Sequence, residues 1–489
     1  MSPSFSKTKT NFIEWISCER SAFYSFNAYP GKDLPYPDQA QKNQAYKVEE
    51  ESTKLFPGIK KSHDFDFEIN QSAPITVYQP TIKVEGNLEA RADIIKKDID
   101  SKIHIFEVKS STKPKKEYIP DIAFQVFLLK KNNINIETCN LILLNGEFVR
   151  KGNINPKKLF QILDVSDQVK DYLKEDLEIN RYIKEIESKT ILERNISSTK
   201  CKKCPYIVSC LAGISSQILS IPRGGKKIQK LVDRGINNLI DIPEDVKLTE
   251  NQQKYADVQI SNKYQINKSV IKEVLSSLEF PITFLDYETI YPAIPKYDGT
   301  YPYQQVPFQF SIHILKDDGN LIYDEYLHLE KSNPMPSLLK HLSTVVGYEG
   351  SVISWNDIFE KSINNTMSGM SPDYKILLDS INERMFDLSI IFKNDYLHPK
   401  FMGSYSLKNV MPVFYDKLQY SDLSISEGGT ASYKWMDMIF GNLDTEENEK
   451  IKFRFSDSNW WSYFIFYFTV SKKILGFCDL CFYLCLILS

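Results

Sequence analysis

Residues 85–125 read EGNLEARADIIKKDIDSKIHIFEVKSSTKPKKEYIPDIAFQ. Two β-like runs, residues 88–95 and 103–108, are joined by a polar turn, and a helical pattern follows them. The first run carries Asp93 among apolar residues, and the second ends in Glu107-Val108-Lys109. Side chains alternate faces along a strand, so Glu107 and Lys109 share one face. A hairpin of the two runs brings Asp93 to the same place, and the helix after it sets Gln125 nearby. Two carboxylates of this kind hold a hard divalent cation, Mg2+ or Mn2+, through oxygens. Such an ion polarises a phosphodiester and lowers the pKa of a bound water, while a lysine steadies the charge that develops on the phosphate. The plainer reading is a solvated hairpin with surface charges. Against it stand the apolar surroundings of both carboxylates and the helix with Tyr118 and Gln125.

Asp93, the Glu107-Val108-Lys109 triplet and Gln125 resemble the motif of the PD-(D/E)XK nucleases, and most closely the RecB-type exonuclease branch. The resemblance implies that Asp93 and Glu107 bind the metal, that Lys109 is catalytic and that Gln125 orients the site. The branch often adds a His or Glu from an early helix. Glu50, flanked by Glu49 and Glu51, is the candidate for that place.

The 489 residues are enough for two or three domains with cores of their own. Hydrophobic content of 42% and charged content of 25% are those of an ordinary globular chain. A net charge of −3 excludes a bulk polycation, so nucleic-acid binding has to use local basic patches. Lys109, Lys113, Lys115, Lys116, Lys130 and Lys131 form one candidate, and Lys226, Lys227 and Lys230 another; for each the alternative is a solvated face. The first 11 residues are polar and offer no apolar core for a secretory signal, which makes a cytoplasmic location the expectation. In that compartment eight cysteines point to metal ligation or buried thiols rather than disulfides.

Helices are expected over 12–24, 44–55 (stopped by Phe56-Pro57-Gly58) and 118–130, and a buried strand from Cys139. Further on, Cys201, Cys204 and Cys210 form C-x2-C-x5-C with no fourth ligand nearby. Cys18 is the natural fourth, and Cys139 reads as a core residue. One early cysteine with a late C-x2-C-x5-C resembles the iron–sulfur staple of RecB/AddB-type nucleases. The resemblance implies a structural 4Fe-4S cluster on Cys18, Cys201, Cys204 and Cys210 that ties the ends of the nuclease domain together. Four thiolates suit Zn2+ as well, and cysteines without any metal are the plainest alternative.

Residues 216–275 read as a helical connector, with Arg223 to Lys227 lacking the glycine spacing of a Walker loop. A second candidate site opens at ITFLDYET, where Asp286 and Glu288 share a strand face. Strand-like stretches at 307–315 and 323–329 follow, then Trp355-Asn356 to Glu360, then Asp387 and Ser404 to Leu407. That order resembles the RNase H-like exonucleases of the DEDD class. Asp286 and Glu288 match its first motif, and Glu360 stands where the second carries Asp. The class needs a fourth carboxylate on a late helix, towards which the chain leads up to Asp444. From Asn459 the sequence turns aromatic and poor in charge. A membrane anchor and a Cys478/Cys481 metal site are alternatives, but the abrupt shift favours an out-of-frame extension.

The expectation is therefore an α/β protein: a PD-(D/E)XK nuclease mixed sheet flanked by helices with a cysteine staple over 1–215, a helical connector over 216–275, an RNase H-like α/β domain over 276–452 and an atypical tail over 453–489. Such a joined layout resembles an uncharacterised bacterial domain family. It implies a metal-dependent nuclease, a DNA exonuclease, with an iron–sulfur-stapled first domain and an incomplete second exonuclease site; the candidate catalytic set is Asp93, Glu107, Lys109, Gln125, Asp286, Glu288 and Glu360. The alternative is a catalytically inactive nucleic-acid-binding iron–sulfur protein. The implied partner is nucleic acid, with no small-molecule substrate and no membrane. Lacking a Walker motif, the chain would depend on a separate helicase for unwinding.

Overall fold

The computed structural model describes residues 6–32, 36–62, 65–174, 177–187, 190–196, 201, 204–414, 428–441, 446–447 and 449–452. The chain is mixed α/β and divides into two units. The first joins Met1–Ala212 to Pro292–Tyr303, and the second joins Gly213–Tyr291 to Gln304–Ser489. The stretch expected to connect two domains, 216–275, thus groups with the second unit.

In the first unit the described strands are β1 (Lys7–Thr8), β2 (Lys60–Lys61), β3 (Ile75–Tyr78), β4 (Thr81–Val84), β5 (Leu88–Arg91), β6 (Ile94–Lys97), β7 (Ile103–Lys109), β8 (Thr138–Leu144) and β9 (Phe160–Asp164). A six-stranded sheet has the order β2-β3-β6-β7-β8-β9, with β2/β3 and β7/β8 parallel. A second sheet is β1-β5-β4, with β1 parallel to β5. The run 88–95 is not one strand, as its composition suggested. It breaks at Ala92-Asp93, so β5 joins the small sheet and β6 the large one. At the break Ala92 N–H donates to Pro80 O (3.0 Å), and Asp93 O accepts from Gln79 N–H (2.8 Å). The β6–β7 hairpin itself forms, with Ile94 opposite Phe106.

Helix Ile119–Lys131 makes the crossover from β7 to β8 and is buried from Pro120 through Leu129. A helix buried all round has no solvent face, so its two polar residues there, Asp121 and Gln125, lie inside the protein. The expected helix over 12–24 is two helices, Lys9–Ser17 and Glu19–Phe26. Thr8 caps the first by accepting from Asn11 N–H, and extended backbone at Cys18 (φ −163°) separates them. Cys18 therefore sits at a corner. Segment 292–303 is held within this unit by Arg150, whose Nη1 donates to Pro295 O and Lys296 O at 2.8 Å each.

The second unit carries β10 (Gln265–Ile266), β11 (Ile282–Ile290), β12 (Val306–Leu315), β13 (Leu321–Leu327), β14 (Val352–Ser354), β15 (Met385–Asp387) and β16 (Tyr396–Leu397). Its five-stranded sheet has the order β13-β12-β11-β14-β15. The first two pairings are antiparallel; β11/β14 and β14/β15 are parallel. Helix Gly428–Phe440 packs against β11, with Trp435 fully buried, stacked on Phe308 at 4.7 Å and donating to His328 O at 2.7 Å. Of the second basic group, Lys227 is spent internally on Lys247 O and Gln252 Oε1 (2.6 Å each), while Lys226 and Lys230 are exposed.

Among the described residues no helix is long and apolar enough to cross a membrane. The tail 453–489, with Cys478 and Cys481, lies outside the described residues, as does Asp444. The expectations placed on them do too.

Candidate active site

The end of β7 and the first turns of the crossover helix build the first candidate site. Alternation puts Glu107 and Lys109 on one face, and Lys109 Nζ lies 2.7 Å from Glu107 Oε1. Val108, pointing the other way, uses its backbone N–H to donate to Asp93 Oδ2 at 2.7 Å. The break between β5 and β6 is what frees Asp93 to reach there. Gln125 Nε2 donates to Glu107 Oε2 at 2.7 Å and to Asp121 O at 3.2 Å. All four residues expected here, Asp93, Glu107, Lys109 and Gln125, are thus brought together.

Two further residues belong to the site. Asp121 pairs with Lys109 through Oδ2 and with Lys9 through Oδ1 at 3.1 Å. Lys9, in the first turn of its helix, also lies 3.2 Å from both carboxylate oxygens of Glu107. Lys9, Glu107, Lys109 and Asp121 close a ring of two ammonium and two carboxylate groups. Asp121 was within reach of sequence reasoning, because it precedes Gln125 by four residues and shares its helix face. Lys9 carried no local signal. The parallel pairing of β1 with β5 delivers it.

The charges bear on one another strongly. Burial, then the neighbouring Glu107 and Glu49, push the Asp93 carboxyl well above the usual range, against Lys9 and Lys109. Burial would pull Lys9 and Lys109 down, but Glu107, Asp121 and Asp93 outweigh it and raise both. Burial would raise Asp121, and the two lysines overcome it and hold it low. Of the early-helix glutamates, Glu50 is exposed, whereas Glu49 accepts from Gln79 Nε2 (3.0 Å) and acts on Asp93.

Lys109 Nζ and Lys115 Nζ lie 5.6 and 5.8 Å from the Tyr118 ring centre. Lys113, Lys115, Lys116, Lys130 and Lys131 are exposed, so the first basic group keeps these five members, and Lys109 belongs to the buried ring.

Cys18, Cys201, Cys204 and Cys210 line one cavity, together with Tyr24, Arg194 and Tyr206. The turn at Cys201 closes through Cys204 N–H to Cys201 O (3.1 Å), and Cys210 N–H donates to Tyr206 O (2.8 Å). Opposite them, Arg20 Nε donates to Leu192 O at 2.7 Å and binds the early helices to the late segment. Burial, then the three other cysteines, raises the Cys210 thiol against the pull of Arg20. Among the described residues none of the four is joined in a disulfide. Cys139 is separate, a core residue of β8 whose thiol burial pushes up to about 12.

The second candidate site lies where β11, β14 and β15 end in parallel. Asp286 and Glu288 share a face of β11, Glu360 comes from helix Ile358–Met370, and Asp387 ends β15. Burial, then Asp286, raises Glu288 well above its usual range, Glu360 adding to this and Lys408 opposing it. Burial, then Asp286, pushes Glu360 up to about 8. Its Oε2 is buried and has no hydrogen-bond partner among the described residues. Asp387 is otherwise engaged: its Oδ1 accepts from Asn356 N–H (2.8 Å), Ser389 N–H (2.9 Å) and Ser389 Oγ, and its Oδ2 from Lys393 Nζ (3.2 Å). It orders the turn after β14, and its charge adds to the upward push on Glu360.

A pH dependence follows. Folded Glu360 holds a proton up to about pH 8, whereas an unfolded glutamate releases it near pH 4.5. Between those values the folded state binds more protons, so stability falls as pH rises. Glu360→Gln is expected to flatten that slope between about pH 4.5 and pH 8 in urea unfolding of the chain. An unchanged slope would remove Glu360 as its source.

Among the described residues, no group of three or more His, Cys, Asp and Glu side chains is drawn together closely enough to hold a metal ion as it stands. The donor chemistry nevertheless fits. The first site offers hard carboxylate oxygens and the buried Gln125 Oε1, which lacks a hydrogen-bond partner among the described residues; the second offers Glu360 Oε2.

Residues 283–406 match a family model described as a domain of unknown function, DUF2779. A curated relative from Ureaplasma parvum serovar 3 (strain ATCC 700970), described as an uncharacterized protein, UU173, is 24% identical over 262 residues. The match covers 48% of this chain and 36% of that protein, so the chain spans about a third of the relative's length. A solved structure titled "Crystal structure of SSO0001" overlaps 44% of this chain and 90% of its own, with 12% identity and a TM-score of 0.24.

Proposed function

We propose that the first unit is a divalent-metal-dependent phosphodiesterase of the PD-(D/E)XK type acting on DNA as an exonuclease. The observation that carries this reading is the bonded group of Asp93, Glu107, Lys109 and Gln125 at one strand end. Asp93 and Glu107 would hold Mg2+ or Mn2+, which supplies polarisation of the phosphodiester and an activated water. Lys109, kept charged by Glu107 and Asp121, offsets negative charge developing on the phosphate. Gln125 fixes the rotamer of Glu107, and exposed Lys113, Lys115 and Lys116 give a backbone-binding patch. A separate helicase is the proposed source of single strands.

Cys18, Cys201, Cys204 and Cys210 would hold a structural 4Fe-4S cluster. A lone Zn2+ binds sulfur at about 2.3 Å and needs four sulfurs drawn tightly together. Four thiolates on one cavity would serve either, and the early cysteine with a late C-x2-C-x5-C, the spacing that resembles the iron–sulfur staple, is what favours the cluster. The second unit is proposed as an RNase H-like domain of the DEDD kind, with Asp286, Glu288 and Glu360 as its carboxylates.

The test is release of short products from end-labelled single-stranded DNA by anaerobically purified full-length chain. Release with Mn2+ that EDTA abolishes is expected. No release under any metal would overturn the enzymatic reading and favour an inactive nucleic-acid-binding iron–sulfur protein.

A further inference from the structure

Lys9 has no part in the chemistry just proposed, yet it is one of the most tightly held side chains of the site. Its ammonium lies 3.2 Å from each oxygen of Glu107 and 3.1 Å from Asp121 Oδ1. The backbone that delivers it is fixed on both sides. Lys7 pairs across from Leu88 and donates through Nζ to Gly86 O (3.2 Å) and to Glu187 (2.8 Å), while Thr8 caps the helix that Lys9 begins. A long surface lysine would not be aimed inward by a capped helix start and a parallel strand pair without a cost in side-chain entropy.

An ammonium placed evenly on both oxygens of a carboxylate takes the position a chelated cation would take. A divalent ion on that carboxylate stands at about 2.1 Å, and two cations cannot share the place. Lys109 has a second anchor in Asp121, and so does Lys9, so Lys9 can leave Glu107 and keep Asp121. We propose that Lys9 is a built-in substitute cation. It neutralises Glu107 until Mg2+ or Mn2+ displaces it towards Asp121, and the competition sets the metal affinity of the site. This rests on the reading of Asp93 and Glu107 as metal ligands. It adds that the metal concentration at which the enzyme switches on is tuned by a residue about 100 positions upstream in sequence.

The test is Mn2+ binding to the full chain, read from the electron paramagnetic resonance signal of the free ion. Asp286→Asn with Glu288→Gln, present throughout, silences the second carboxylate group. Lys9→Met is expected to bind Mn2+ at least about tenfold more tightly and to gain more in thermal midpoint from it. Equal or weaker binding would overturn the proposal and leave the metal site standing. Binding in neither chain would bring down the metal reading and this inference with it. If Lys9→Met does not fold, the chain that keeps Lys9 decides. Mn2+ should raise acylation of Lys9 by an amine-reactive reagent, mapped by peptide mass, and unchanged labelling under saturating Mn2+ would overturn the displacement.

Discussion

Glu107→Gln is expected to reduce metal-dependent DNA cleavage by at least about 10^3-fold and to cost the fold about 3 kcal/mol. Both effects come from one side chain. Glu107 is buried and accepts from Lys9, Lys109 and Gln125 at 2.7–3.2 Å. The amide loses the charge that balances two ammonium groups, leaving Asp121 alone to serve both. A buried ring with one positive charge in excess is costly, because the ammonium groups have already given up water. The amide also removes a hard metal ligand and the partner that keeps Lys109 in place. Urea unfolding measures the loss of stability and product release the loss of cleavage. Pairing Glu107→Leu with Lys9→Met should recover part of the stability, since uncharged groups of similar size often replace buried ion pairs without loss. It should recover none of the activity. A Glu107→Gln chain with an unchanged midpoint would mean that the ring contributes nothing to the fold.

Cys204→Ser carries the second large effect. It is expected to remove most of the bound iron and to lower the thermal midpoint of the chain, because binding free energy of a structural metal centre is folding free energy. The four cysteines line one cavity whose walls come from Cys18 with helix Glu19–Phe26 and from residues of the late stretch, 194–196, 201 and 204–211, about 180 residues away in sequence. Closing a loop of that length by a cluster lowers the entropy of the unfolded chain. Hydrogen exchange should then accelerate in helix Glu19–Phe26, which Arg20 joins to the late segment. A Cys204→Ser chain that unfolds while retaining its iron would refute the structural role.

Much of the first site is legible in 41 residues because it is built from short-range rules. Strand alternation puts Glu107 beside Lys109, a hairpin brings in Asp93, and the next helix supplies Gln125. Asp121 was legible and overlooked, whereas the features that follow are hidden for physical reasons. The run 88–95 alternates well enough to read as one strand. Yet residues 92 and 93 spend backbone hydrogen bonds on Pro80 and Gln79, a tertiary choice that local pattern cannot reveal. Lys9 reaches Glu107 through pairing of β1 with β5, about 80 residues apart. The split of the first helix at Cys18 is similar: its hydrophobic spacing runs on, and the ties of Arg20 to Leu192 and Glu193 turn the chain. In the second unit, Asp286 and Glu288 follow from alternation on β11, while the pairing of β14 with β15 puts Asp387 at the same strand ends, engaged with its own turn.

The most direct test of the central claim compares the wild-type chain with Lys109→Ala, both purified anaerobically, on end-labelled single-stranded DNA with Mn2+. The account predicts that short products accumulate with the wild type and fall by about 10^2-fold or more with the variant, Mn2+ still binding to both. Product release that survives in Lys109→Ala would contradict it, and would move the chemistry to Asp286, Glu288 and Glu360.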